Sequence, residues 1–468
     1  MNVGENDTIA LTFEQTYSEG GVEVDWQDGS EVESKSGLYV SMDHTFEEAG
    51  EHIIKITCKS GSWVPGQSGT RFVYPADRLT DIDFAYDVTT FRPGAFEYCT
   101  GLIDIKLSRY VTALPDYVFA FCTNLRSINK TANSDVNLPV SLKTIGREAF
   151  RACSSLSGKM ALPKNLQSIS MQAFQDCSGL TMVSLGDSVD YIGNAAFWQC
   201  TSLEEFEFNS ALTSISIQMF QGCSSLKQID IPETISSIGV RAFNYCTSLE
   251  KVIVRNPNLN ITAESSSDLA AGLFIGDGLL ETAGPIGGSY NVEFAFTDKI
   301  PAGFLKGNED ANLKSVVLPS TIVEIGEQAF RYQTKLYDIT LPYGVQKIGT
   351  EAFYHCNVLG NGSFTIPGTV NYIGYRVFAY TFSLTELRIC TTTLGSRDIC
   401  PRPSRIDDSW VYEGNTDLKI HLRESLSYPK YLEEFGSTDN IETSVAYFAA
   451  LNTSGQSAEI ICDLNDVI

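Results

Sequence analysis

The sequence predicts a mainly β chain with short helical turns: a solenoid of about twelve stacked units, preceded by a small β-sandwich. Three observations lead there. A unit of 23 residues recurs, with Phe174, Phe197, Phe220 and Phe243 in strict step. Residues 1–60 keep a different rhythm, apolar at every second position within short runs. At 468 residues, 43% of them hydrophobic and 19% charged, the chain is folded rather than disordered and too long for one compact core.

Ile9, Leu11 and Phe13, then Val22, Val24 and Trp26, then Ile54 and Ile56 alternate, as strands with one buried face do. Asp28-Gly29 supplies a hairpin-type turn between such runs. Residues 1–60 therefore read as a small antiparallel sandwich.

Residues 77–400 carry the repeat. In Leu226-x-x-Ile229-x-Ile231 the two isoleucines share one side of a short strand. Pro232 ends that strand, as Pro319, Pro342 and Pro367 end theirs, because proline cannot donate to a sheet ladder. A second apolar pair follows, Ile235 and Ile238, and then a glycine suited to a tight turn (Gly146, Gly193, Gly239, Gly326, Gly349, Gly374). Ala242-Phe243-x-x-Cys246-x-x-Leu249 reads as one helical turn directed inward. The anchor phenylalanines are Phe96, Phe119, Phe150, Phe174, Phe197, Phe220, Phe243, Phe304, Phe330, Phe353 and Phe378, with a degenerate copy around Phe274. Residues 255–312 are drawn out, and their glycine-rich stretch from Gly284 to Tyr290 reads as a loop. Residues 401–468 read as a C-terminal cap and tail, with a last strand near Ile420 and a short helix from Leu426 to Phe435.

Cys99, Cys122, Cys153, Cys177, Cys200, Cys223, Cys246 and Cys356 each stand three residues after an anchor. Stacked turns about 5 Å apart would permit disulfides. A column of buried thiols acting as small apolar spacers explains them better, since Gln333 and Thr381 replace cysteine in two copies. Zinc would require paired spacings such as C-x-x-C, which the chain lacks. Outside this column, Cys390 and Cys400 bracket a loop that a bridge could close.

The unit Ile-Gly-x-x-Ala-Phe-x-x-Cys-x-x-Leu-x-x-Ile-x-Ile-Pro resembles the BspA-type leucine-rich repeat of bacterial surface antigens. That resemblance implies a leucine-rich repeat solenoid in a secreted or surface-attached adhesion or interaction protein. Trp26-Gln27-Asp28-Gly29, His44-Thr45-Phe46 and Ala49-Gly50-Glu51-His52 resemble a polycystic-kidney-disease (PKD) domain, an immunoglobulin-like module. It implies a spacer or contact module and, with the repeat, an extracellular or cell-surface location.

With 33 basic and 57 acidic residues the net charge is -24, which repels phosphate backbones and excludes nucleic acid as a partner. No stretch approaches the ~20 apolar residues of a membrane helix, so membrane insertion is not expected. Met1 to Thr8 are polar and show no secretory pattern. Four histidines leave little material for acid–base or metal chemistry, and no nucleophile elbow, phosphate loop or dinucleotide fingerprint occurs. Neither a catalytic site, nor a metal, nor a cofactor is expected. A hydrolase acting on glycans or peptides is the least favoured reading.

What remains is the outward face of the strands. It offers Asp104 and Lys106, Glu205 and Glu207, Gln228 and Asp230, Lys251, Asp338 and Thr340 as ligand-binding candidates, flanked by Ser127 and Asn129, Met182 and Ser184, and Glu386 and Arg388. Their mixed chemistry suits an extended protein or polysaccharide contact made by a monomer. A surface spacer without a specific ligand is the alternative.

Overall fold

The structure, a computed structural model, describes residues 1–15, 21–58, 63–65, 72–74, 76–84, 88–129, 136–262, 272–274, 277, 279–308, 311–374, 376–390, 419–423 and 459–464. The chain is a mainly β solenoid of about twelve turns with almost no helix. It forms two compact units, Met1–Lys227 and Gln228–Ile468.

The first unit opens with a short antiparallel pair, Asn2–Val3 against Gly50–Glu51, and two larger antiparallel sheets. Strand Thr8–Gln15 pairs with Tyr39–Thr45, Trp63–Pro65 and Val73–Tyr74. Strand Gly21–Asp25 lies between Glu33–Ser36 and Lys55–Cys58. The alternating residues Ile9, Leu11, Phe13, Val22, Val24, Val40 and Met42 are all buried. Buried Trp26 stacks on His44 at 4.8 Å, meets Phe46 edge-on at 6.1 Å and donates its indole N–H to Glu33 Oε1 at 3.0 Å. At the expected turn, Asp28 Oδ1 accepts from the Ser30 amide (3.1 Å) and hydroxyl (2.6 Å).

This sheet pair closes the open end of the first repeat. Phe72 accepts from Thr12 N at 2.9 Å and donates to Ala95 O at 2.7 Å, which joins strand to turn through backbone alone. Its ring sits edge-on to Phe13 (5.5 Å) and to the anchor Phe96 (5.4 Å). Arg92–Glu14 and Arg78–Asp7 ion pairs flank the junction. A solenoid end needs such cover, because its last turn otherwise exposes core.

The repeats then stack as parallel strands. Asp81–Asp83 pairs with Asp104–Lys106 and that with Ser127–Ile128, so that Ile82, Ile105 and Ile128 share one register. Val136–Asn137, Gly158–Ala161, Leu180–Ser184 and Glu205–Glu207 form a second parallel sheet. The second apolar pair of each unit builds a shorter column: Ala113–Leu114, Thr144–Ile145, Ser168–Ile169 and Tyr191–Ile192. Phe96, Phe119, Phe150, Phe174, Phe197 and Phe220 form a stack with ring centroids 5.2–6.1 Å apart and planes within 21° of parallel.

The anchor segment differs from the expected helical turn. The residues two before and two after the anchor are left-handed whatever their side chains: Gln172 and Asp176 around Phe174 (φ 59° and 60°), Ala195 and Gln199 around Phe197 (φ 56° and 59°). This geometry turns alternate amides along the stack. Gln172, Phe174 and Asp176 donate to Asn194 O (3.0 Å), Ala196 O (2.8 Å) and Trp198 O (2.8 Å) of the next turn. A non-glycine residue held left-handed costs about 1–3 kcal/mol, and these cross-turn bonds offset it. The repeat glycines have another use than the expected tight turn. A Cβ at Gly193 would lie 2.4 Å from Met171 N, and one at Gly349 would lie 2.5 Å from Glu327 N, so glycine admits the backbone of the preceding turn.

In the second unit Gln228–Ile231 pairs with Lys251–Val254, and Lys299–Ile300, Glu324–Ile325, Lys347–Ile348 and Tyr372–Ile373 form the shorter column. The drawn-out segment is sheet, not only loop. Strands Thr282–Pro285 and Val292–Phe294 both join the second unit's main sheet, that of Gln228–Ile231 and Lys251–Val254, in parallel, and the later one lies between Lys251–Val254 and the earlier. Tyr290 covers the crossover: a Cβ on Gly284 or Gly288 would come within 2.4 or 2.0 Å of its ring. Phe274 stacks on Phe243 at 5.7 Å, so the degenerate copy is a true turn.

Phe304 is not an anchor. Gly303, Leu305 and Gly307 make the cross-turn bonds to Glu327 O, Ala329 O and Arg331 O, which puts Leu305 in the anchor's place. Phe304 instead meets Phe274, Phe294 and Phe296 edge-on. Phe330, Phe353 and Phe378 then resume the stack at 5.3 and 5.8 Å. Beyond residue 400, Lys419–Arg423 and Glu459–Leu464 extend the sheet of Ser363–Ile366 and Glu386–Ile389 in parallel. The expected helix from Leu426 to Phe435 and the partner residue Cys400 lie outside the described residues.

Candidate functional site

The strand face holds the candidate residues where alternation predicts, but many are engaged within the chain. In the first unit Lys106 donates to Asp83 Oδ2 at 2.8 Å across adjacent strands. Asp104 accepts from the Ser127 hydroxyl. Ser127, expected to face outward, is buried, and Asn129 is a staple: its Oδ1 accepts from Leu107 N and its Nδ2 donates to Asn137 O, both at 2.8 Å. Glu205 and Glu207 are exposed on either side of buried Phe206. They form no ion pair among the described residues. Met182 and Ser184 are their register partners.

In the second unit Gln228 and Asp230 are exposed. Arg255 grips Asp230 with two bonds, Nε to Oδ1 at 2.7 Å and Nη2 to Oδ2 at 2.5 Å, a bidentate pair that raises the guanidinium pKa. Lys251 donates to Glu293 and to Tyr290 O. The Lys251 bond, then the Gly287 amide, hold the Glu293 carboxyl below its ordinary range. Asp338 Oδ2 accepts from the Ser315 hydroxyl at 2.8 Å, and Thr340 is exposed just beyond that strand.

Two sets of face residues escape a reading from the anchors. Asp81 and Asp83 belong to the first strand of the sheet, one 23-residue step before Asp104 and Lys106, and that step was their signal. Glu293 lies on the inserted strand, where no repeat spacing announces it.

Elsewhere, two histidines are held by packing contacts. His44 Nε2 bonds Asp28 Oδ2 at 2.6 Å; the Ser30 hydroxyl, then His44, hold that carboxyl well below its usual range. This is the packing of a turn under Trp26. His355 is sandwiched between the rings of Tyr332 (5.1 Å) and Tyr380 (4.9 Å). No group of three or more His, Cys, Asp or Glu among the described residues is placed to hold a metal. No helix among them is long and apolar enough to cross a membrane.

The cysteine column proves more than spacing. All eight thiols are free and buried. Six of them, Cys122, Cys153, Cys177, Cys200, Cys223 and Cys356, donate to the anchor carbonyl of the preceding turn at 3.0–3.2 Å. Gln333 keeps that role, with Nε2 donating to Leu305 O at 2.5 Å.

A search of curated proteins finds no match. Among solved structures, a leucine-rich repeat protein from Bacteroides ovatus is 23% identical, with 71% of this chain and 92% of that one covered at a TM-score of 0.43. A leucine rich cell surface protein from Faecalibacterium prausnitzii is 20% identical over 69% of this chain and 91% of that one, TM-score 0.38. The T. pallidum leucine rich repeat protein is 26% identical over 36% of this chain and 78% of its own length, TM-score 0.32. The family model of the BspA type leucine rich repeat region matches residues 67–135, 129–250 and 307–397, more than half of the chain and the same residues that stack anchor, thiol and strand. This chain belongs to the BspA-type leucine-rich repeat family.

Proposed function

We propose that this is an exported or cell-surface interaction protein without enzymatic activity, which binds proteins or glycans of a host or neighbouring cell through its outward strand face. One observation carries the reading. Inward positions repeat from turn to turn, whereas the outward positions of the same turns change chemistry: Glu205 and Glu207, Gln228 and Asp230, half-buried Ser315 and exposed Val317, Asp338 and Thr340. A scaffold that holds its core constant while varying one face suits extended recognition. Residues 1–60, the proposed PKD-like module, would add reach or a second contact.

The test is a binding screen of the full chain against extracellular-matrix proteins and glycan arrays. Charge reversal at the face, Glu205→Lys with Glu207→Lys, should abolish a hit, while Asp190→Lys, exposed on the shorter column, should leave it intact. A specific observation favours the spacer as second reading: the Lys106–Asp83, Arg255–Asp230 and Lys251–Glu293 pairs already satisfy part of the face. A screen without hits, on protein shown to be folded, decides for the spacer.

A further inference from the structure

The position three residues after the anchor carries a hydrogen-bond donor through most of the stack. Six cysteines and Gln333 donate there to the anchor carbonyl one turn earlier. Thr381 donates to its own anchor, Phe378 O, at 2.7 Å. Asp277 occupies the same position, three after Phe274, whose ring stacks on Phe243. A carboxylate offers no donor, whereas a carboxylic acid offers one.

Asp277 is 6% exposed, and neither of its carboxyl oxygens has a hydrogen-bond partner among the described residues. With Phe274, Leu280, Val292, Leu305 and Gln333 it lines a cavity that leaves about 20 Å³ for water-sized molecules, room for one. Gln333 Oε1, equally buried, also lacks a partner. Three acceptor oxygens thus face a largely apolar space. Lys306 lines the same cavity, but its ammonium donates to Gln328 Oε1 at 2.8 Å. The Cys246 thiol stands at the same position one turn before Asp277, and Arg331, two turns after it, is paired with Glu351. Burial pushes the Asp277 carboxyl well above its ordinary range, and the Cys246 amide, near it but outside hydrogen-bond geometry, offsets that only in part.

We propose that Asp277 is a neutral carboxylic acid that replaces the ladder thiol, and that the cavity binds one internal water joining it to Gln333. The acid hydroxyl donates to Phe243 O, which already accepts from Cys246 N at 3.2 Å. The water donates one proton to the remaining Asp277 oxygen and the other to Gln333 Oε1. All three orphaned oxygens are then satisfied without a buried charge.

The experiment compares unfolding of the full chain and of Asp277→Asn across pH 5 to 7, with an infrared difference spectrum between the two. The native acid keeps a proton that the unfolded carboxyl releases above about pH 4. The unfolded state therefore binds fewer protons, and native stability falls as pH rises, by up to about tenfold in the unfolding constant per pH unit. The Asn variant should lose this slope and be the more stable protein at pH 7, and the carbonyl stretch of a protonated acid should appear in the wild type alone. If the Asn variant does not fold, Asp277→Cys, which restores the thiol, takes its place in both measurements. Parallel pH profiles without an acid band would overturn the proposal. So would a wild-type midpoint that shifts when potassium replaces sodium, because the occupant would then be a cation beside a carboxylate.

Discussion

Cys177 donates its thiol proton to the carbonyl oxygen of Phe150, 27 residues earlier and one turn back, at 3.0 Å. The same oxygen also accepts from Cys153 N at 3.1 Å, so each anchor carbonyl is shared between its own turn and the next. A small side chain with a weak donor meets both demands of the site. It is small enough to be fully buried in the column and leaves no carbonyl unpaired.

Replacing Cys177 by alanine removes the donor and a little volume. The expected loss is about 1–2 kcal/mol, roughly one hydrogen bond plus a small cavity. Denaturant unfolding checks it. A cost below about 0.5 kcal/mol would reduce the thiol to a filler.

Phe220→Ala opens a cavity beside Phe197 and Phe206, and about 3–5 kcal/mol should be lost. Neighbouring turns should loosen first, because contacts in a repeat stack are local. Hydrogen exchange across residues 190–227 would reveal it. A surface-like effect would mean that the anchor register is misplaced.

Gly193→Ala should destabilise by more than about 2 kcal/mol, since its Cβ would meet the backbone of Met171 at 2.4 Å. The same change at Gly29, where a Cβ meets nothing within 4 Å and only its φ of 90° resists, should cost about 1 kcal/mol. Equal costs at the two sites, read from thermal midpoints, would contradict close approach as the reason for the repeat glycine.

Burial raises six of the ladder thiols, Cys122, Cys153, Cys177, Cys200, Cys223 and Cys356, that of Cys223 to about 12. Unfolded thiols release protons from about pH 8.5, so above that pH the unfolded state binds fewer protons than the native one. Stability should be intact below about pH 8.5 and should fall steadily towards pH 12. Cys223→Ala should weaken the fall in urea midpoints between pH 8 and 10. An unchanged slope would show that this thiol ionises in the folded protein.

Removing residues 282–294 deletes two strands of the main sheet with buried Ala283, Val292 and Phe294. More than about 4 kcal/mol should be lost, the range of a broken core. A nearly unchanged midpoint would show that these strands are dispensable loop.

The stack was legible because its signal is periodic: Phe174 to Phe243, the isoleucine pairs and the thiols repeat where a buried site repeats. The left-handed positions were not, because cross-turn bonds rather than side chains impose them, so Tyr98, Glu148, Gln172 and His355 all serve. Phe304 misled because hydrophobicity marks a buried residue without fixing its register, and Leu305 beside it took the anchor's backbone role. At the face, alternation predicts Glu205, Glu207, Gln228 and Asp230 outward, and all four are exposed. It could not foresee that Ser127 is covered, nor that Glu293 would arrive on an inserted strand to hold Lys251.

Native and denatured alkylation of the full chain, followed by peptide mass spectrometry, tests the stacked column most directly. The account predicts that Cys99, Cys122, Cys153, Cys177, Cys200, Cys223, Cys246 and Cys356 stay unmodified in the native protein and are all modified, as free thiols, after denaturation. Disulfide-linked peptides joining successive members, or rapid native alkylation at the centre of the column, would contradict it.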